Sequence, residues 1–148
     1  KEKPECDVVC KGLDWELAGR LVPHAPYTIW QTLQHIIYWQ ELILAAMRGL
    51  AVTWPAHAVE GWGAPACPPS EEAWVAGVQQ FLTELKAAHE ISMSPDADLE
   101  TAIPALEAAY GYKALQVLAS HNSYHLGQIV LLRRILGAWP PLSGGDTW

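Results

Sequence analysis

Along residues 28–49, "TIWQTLQHIIYWQELILAAMRG", apolar side chains recur every three to four positions, the period of a helix with a buried stripe. Thr28 stands where an N-cap belongs, Gln31 three residues later completes a capping box, and Gly49 is placed as a C-terminal stop. The period returns over residues 70–90, "SEEAWVAGVQQFLTELKAAHE". There Ser70 is the cap, and the acidic first turn suits the positive end of the helix dipole. A fourth helix is predicted from Tyr112 to Leu136, stopping at Gly137 with Pro140 and Pro141 beyond. A short first helix over residues 3–12 ends at Gly12, and a Pro-containing loop, "GRLVPHAPY", leads towards the second.

The stretches between these helices are rich in breakers. Residues 50–69 hold Pro55, Gly61, Gly63, Pro65, Pro68 and Pro69, and read as an irregular crossover. A second irregular segment runs from Pro95 to Pro104. No stretch alternates in the manner of a strand, and no internal repeat is present. Four helices with one long connection predict an all-α fold, a four-helix bundle, as one domain over residues 1–148. The crossover between helices two and three has a topological consequence. A connection of ~20 residues lets those helices run parallel, where a short loop would make them antiparallel.

Composition narrows the function classes. Apolar residues make up 51% of the 148 and charged residues only 17%, which suits a closed core and argues against disorder. No apolar run approaches the ~20 residues of a membrane span, and no secretory leader is visible. The chain starts at Lys1 rather than Met, so part of the N-terminus is expected to be missing or removed. The net charge is −7 and Arg133-Arg134 is the one basic pair, which argues against a nucleic-acid partner. Three cysteines make no disulfide framework, so a reducing, cytoplasmic setting is expected. Cys6 and Cys10 have the spacing of a metal pair on a helix, but no second pair follows and Cys67 falls in a loop. They read as buried or idle thiols.

The histidines change the picture. At ~100° per residue, setting His121 to zero puts His125 near ~40° and Gln128 near ~−20°. Ala114, Val117, Leu118, Leu132 and Ile135 share that arc, so the pair is predicted at the centre of the apolar stripe. Two imidazoles buried there need partners for their nitrogens. On the second helix His35 shares its face with Thr28, Gln31, Thr32, Tyr38, Trp39, Leu42 and Ala46. Three imidazoles from two facing helices form a nitrogen site of the kind that suits Zn, Ni, Fe or Cu, with positions left open as in catalytic zinc centres. The spacing alone also fits core histidines satisfied by Tyr124, Gln128 or backbone carbonyls. His24 and His57 in loops, and His89 in a last helical turn, read as surface residues.

"TIWQTLQHIIYWQ" together with "HNSYHLGQIVLLRRILGAWPP" resembles the DinB/YfiT-like superfamily of metal-dependent helical bundles. The resemblance covers helices two and four with the stretch after it and, more weakly, the "SEEAW" start of helix three. It implies an up-down-down-up bundle in which a divalent transition metal, zinc or nickel foremost, is held by His35, His121 and His125. Where some relatives carry Glu at the first position of the last-helix pair, His121 here implies an all-nitrogen set. The short first helix departs from the family pattern. Relatives of this kind include thiol-dependent S-transferases and a maleylpyruvate isomerase, so the resemblance implies a low-molecular-weight thiol or water activated for transfer to, or hydrolysis of, a small-molecule substrate. Gln128 is placed to orient a ligand, with Tyr38, Trp39 and Tyr124 as pocket walls or core. A bundle that binds metal or a small ligand without turnover remains the alternative, because no general base stands out and Glu41 lies opposite His35. Finally, Leu33, Ile37, Leu44 and Trp30 make the back of helix two apolar, which predicts a homodimer formed through that face.

Overall fold

The computed structural model describes residues 6–107 and 109–142. Three long helices dominate: α2 (Ile29–Met47), α3 (Glu71–Met93) and α4 (Gly111–Ile135). The predicted signals set their ends. Thr28 Oγ1 accepts from Gln31 N–H at 3.2 Å while Gln31 Oε1 accepts from Thr28 N–H at 3.1 Å, closing the capping box of α2. At its other end Gly49 takes φ 76°, and the N–H groups of Gly49 and Leu50 return to the carbonyls of Ala46 and Ala45. Ser70 caps α3 through Ala73 N–H at 3.2 Å. Gly137, at φ 71°, ends α4 in the same way as Gly49 ends α2.

The N-terminal segment differs from the predicted first helix. Its described part is a single 3-10 turn, Cys6–Val9. Residues 3–5, and the pairing of Cys6 with Cys10, lie outside the described residues. A separate turn, α1 (Trp15–Ala18), follows, capped by Asp14, whose Oδ1 accepts from Glu16 N–H at 2.7 Å and Leu17 N–H at 3.1 Å. A small ladder that the sequence did not predict starts in the second irregular segment and closes just beyond it: β1 (Ala102–Ile103) pairs antiparallel with β2 (Ala109–Tyr110). With two residues a side, there is no alternation to read.

Helix α2 is the central element, packed on α3 along one side and α4 along another. Its contacts with α3 advance in the same direction on both helices: Trp30 meets Trp74, and Gln40 meets Phe81 and Glu84. The contacts with α4 run oppositely, His35 facing His125 while Gln40 faces Asn122. Two apolar clusters fill the core. One gathers Leu33, Ile36, Ile37, Trp74, Phe81 and Ile129, and the other Ile43, Leu44, Ala88, Ala114 and Leu118. Between them, on α2 and α4, lies a polar layer.

Two expectations are corrected here. The back of α2 is covered within the chain: Leu33, Ile37, Leu44 and Trp30 are all no more than 6% exposed, chiefly through packing in the two clusters. The surface from which pairing of two copies was expected is therefore part of the core. Helix α4 is also rotated relative to its predicted stripe. Val117 and Ile135 are exposed, while Asn122 and Ile129 are buried. The histidine pair thus sits at the edge of the buried face, because a polar residue, Asn122, takes a central position. Among the described residues, no helix is long and apolar enough to cross a membrane.

Candidate metal centre

The three predicted histidines come together. His35 projects from α2, and His121 and His125 from successive turns of α4. One ring nitrogen of each lies within 4.8 Å of the others, a grouping that could hold a metal ion. The Nε2 atoms of His35 and His121 are 3.2 Å apart. Two zinc–nitrogen bonds of ~2.0–2.1 Å at a tetrahedral angle would separate their nitrogens by about 3.3 Å. His35 and His125 are buried and His121 is half-buried. The cluster contains no carboxylate.

The groups behind the rings decide which nitrogens face inward. His35 Nδ1 lies 3.1 Å from the Gly61 carbonyl, which can only accept, so Nδ1 carries the proton and Nε2 presents a lone pair. His125 Nδ1 lies 2.7 Å from Gln128 Oε1, with the same result. This is the orienting role expected of Gln128, and it matches the outer partners that fix ring tautomers in metal sites. The donor set therefore fits a divalent ion of the borderline class.

The crossover supplies what sequence reasoning missed. Its residues 58–62 form a 3-10 helix, Ala58–Trp62, that lies against α2. Trp62 stacks on His35 with ring centroids 3.8 Å apart and planes 10° from parallel, and Tyr27 stacks on Trp62 at 3.7 Å and 10°. This three-ring stack holds the plane of His35. Gly61 permits a close approach: a Cβ there would meet His35 Nδ1, Trp39 Nε1 and Tyr38 Cδ1, each at 3.1 Å, and those side chains would have to give by a few tenths of an ångström. Thr28 Oγ1 donates to the Ala66 carbonyl at 2.6 Å and Gln31 Nε2 to that of Ala64 at 3.0 Å, tying the crossover to the cap of α2. The sequence carried one trace of this, a tryptophan flanked by two glycines inside a segment of breakers.

The proposed walls separate in the structure. Trp39 stands edge-on to His35 and His121 and stacks with Trp54, whose Nε1 donates to the Ala105 carbonyl at 2.6 Å. Tyr124 meets His125 edge-on but is 65% exposed. Tyr38 packs on Trp39 and lines a neighbouring polar cleft with Gln34, Glu41, Glu60 and Gln80. His24, His57 and His89 are exposed, as expected.

Burial holds the rings neutral. It lowers His35 and His121 to about 4, with His125 adding repulsion to both, while the Gly61 carbonyl opposes the shift at His35. Burial also lowers His125, against its bond with Gln128. Asn122 favours protonation of His121 without a well-formed hydrogen bond, so His121 Nδ1 and Asn122 Oδ1 are both buried without one. A stability effect follows. Below pH 6.5 the unfolded chain protonates these imidazoles, whereas the fold keeps His35 and His121 neutral down to about 4. Stability of the metal-free protein is therefore full above pH 6.5 and falls as the pH drops towards 4. After solvent screening, the loss is about 1–2 kcal/mol per ring. Urea titrations between pH 7.5 and 4.5 in chelator check this. Replacing both His35 and His121 by leucine should flatten the profile, and an unchanged slope would place the acid-sensitive groups elsewhere.

The family model described as the DinB superfamily matches residues 13–129, a span that includes all three histidines. No match to a curated protein or to a solved structure reaches significance.

Proposed function

The chain belongs to the DinB superfamily, and from that premise we propose that His35, His121 and His125 hold one divalent first-row metal, zinc or nickel, through their Nε2 atoms. The observation that carries this is the convergence of the rings: two Nε2 atoms 3.2 Å apart, with the Nδ1–H of His35 and of His125 each committed to an acceptor outside the cluster. When bound, such an ion lowers the pKa of a thiol or water until its anion dominates near neutral pH. The residues of the chain do the rest. Gly61 and Gln128 orient two ligands, Trp62 and Trp39 exclude water from their flanks, and Tyr124 borders the exposed side. With no carboxylate among the converging groups, the site favours activation of a nucleophile over proton transfer by a side chain. We therefore assign it to transfer of a small thiol, or to hydrolysis, on a small-molecule substrate. The same lack of a base favours, as a second reading, a bundle that binds metal or ligand without turnover. The direction of contacts along α2, α3 and α4 fits the last three helices of an up-down-down-up bundle.

Metal analysis tests the proposal. Protein purified without a histidine tag and dialysed against micromolar zinc or nickel should retain about one ion per chain. Thiol-conjugation and ester-hydrolysis assays then separate the readings, since any turnover should vanish in chelator and return with metal. Uptake far below one ion per chain would sink the proposal.

A further inference from the structure

The polar layer beside the histidines has no part in the reading above. Gln40 and Asn122, its central members, are 0% and 3% exposed. The order of donors and acceptors in it is fixed from one end. A backbone carbonyl can only accept, so the group that Gln40 turns to Phe81 O at 3.3 Å is its amide Nε2, which also donates to Glu84 Oε2 at 2.9 Å. Gln40 Oε1 must then face α4, where it accepts from Asn122 Nδ2 at 2.6 Å. This leaves Asn122 with a buried acceptor, Oδ1, that has no hydrogen bond. The adjacent His121 has a buried ring nitrogen, Nδ1, in the same condition. Leaving both unmade is costly, and a bond from His121 Nδ1–H to Asn122 Oδ1 would satisfy the two together.

We propose that Asn122, held in place by Gln40 and its acceptors Phe81 O and Glu84, fixes His121 as the Nδ1–H tautomer and so directs its Nε2 lone pair at the metal. The inference rests on the reading of the three rings as ligands. It identifies Asn122 and Gln40 as positioning residues, since both act through His121. The alternative tautomer shows what is at stake. If His121 carried its proton on Nε2, it would donate to the His35 Nε2 lone pair at 3.2 Å, and the site would close on itself. In the Nδ1–H form the two lone pairs meet and only a cation can lie between them. The buried layer thus selects the open form before any ion arrives, at a centre whose other two rings are already set by Gly61 and Gln128.

Nitrogen-15 NMR of the histidine rings in metal-free protein at pH 7.5 tests this directly. His121 is expected as the Nδ1–H tautomer in the unmodified chain. Asn122→Leu should shift it to Nε2–H and weaken zinc and cobalt binding by roughly 10–100-fold, with His35 and His125 unchanged. Gln40→Leu, which leaves Asn122 in place but unheld, should give a mixture of tautomers and a smaller loss. A His121 ring found as Nε2–H in the unmodified protein overturns the proposal without recourse to any variant. So does Asn122→Leu that folds and keeps both tautomer and affinity. Should the unmodified ring be Nδ1–H while the protein takes up no zinc, the layer acts as described and the metal reading fails.

Discussion

Alanine at His125 is expected to abolish the stabilisation that zinc gives to the folded chain. A ligand that binds only the folded state stabilises it by ~4 kcal/mol at a thousandfold excess over its Kd. For a domain of this size that corresponds to a rise in Tm of roughly 8–16 °C. Two imidazoles remain after the substitution, and one of them, His121, is 3.2 Å from the other, so they cannot enclose an ion from three sides. Loss of an outer-shell partner already costs ~10–100-fold in affinity, and removal of a ligand itself must exceed that. The metal-free variant should lose less, since removing a buried polar ring offsets part of the cost of the cavity that opens and of leaving Gln128 without its partner. Thermal scans of both proteins with and without zinc give the answer. A metal-induced shift in His125→Ala equal to that of the unmodified chain would remove His125 from the ligand set.

What the sequence revealed of this molecule was its local chemistry. Thr28 with Gln31, Ser70, Gly49 and Gly137 act within one helical turn of themselves, so their roles could be read without the fold. His121 and His125 were visible because one turn of one helix sets their spacing. His35 required a facing helix, which its place on the stripe of helix two suggested and the family resemblance implied. The features that the sequence did not reveal depend on register between distant segments. Nothing near Trp62 says that the crossover will lay it flat on His35, 27 positions earlier in the chain. Asn122 and Gln40 look like breaks in two apolar stripes until α2 and α4 are aligned antiparallel and each becomes the partner of the other. The same alignment rotates α4, exposing Val117 and Ile135, and α3 covers the back of α2 that looked free. A residue pair can also mislead by its company: Arg133 and Arg134 read as a small basic spot, yet only Arg134 is exposed.

Arg133 is expected to be the costliest single residue to replace outside the metal centre. It is 1% exposed and has no carboxylate partner among the described residues. Its guanidinium instead gathers backbone carbonyls: Nη1 donates to Val9 at 2.6 Å and to Val8 at 3.4 Å, Nη2 to Lys11 at 3.1 Å and Nε to Ala138 at 3.0 Å. The Trp139 ring lies under it, 5.2 Å from the guanidinium carbon. One side chain on α4 thereby fastens the Cys6–Val9 turn and the segment after Gly137 to the bundle. Burial works against the charge, and Cys10 works for it. Methionine would fill much of the volume but leave the carbonyls of Val9, Lys11 and Ala138 without their donor, while that of Val8 keeps the Lys11 N–H at 3.3 Å. A buried, unsatisfied group costs ~1–3 kcal/mol; the Val9 carbonyl is buried and those of Lys11 and Ala138 are partly open to water, so together with the lost packing a net loss of roughly 2–4 kcal/mol is expected. Lysine, with three donors on one compact ammonium and no planar fork, should recover less than half of that. Zinc affinity of the folded Arg133→Met protein should be unchanged, because no contact joins Arg133 to the three rings. Urea unfolding in chelator measures the first quantity and chelator competition the second. A loss under ~1 kcal/mol would mean that water replaces the guanidinium at these carbonyls.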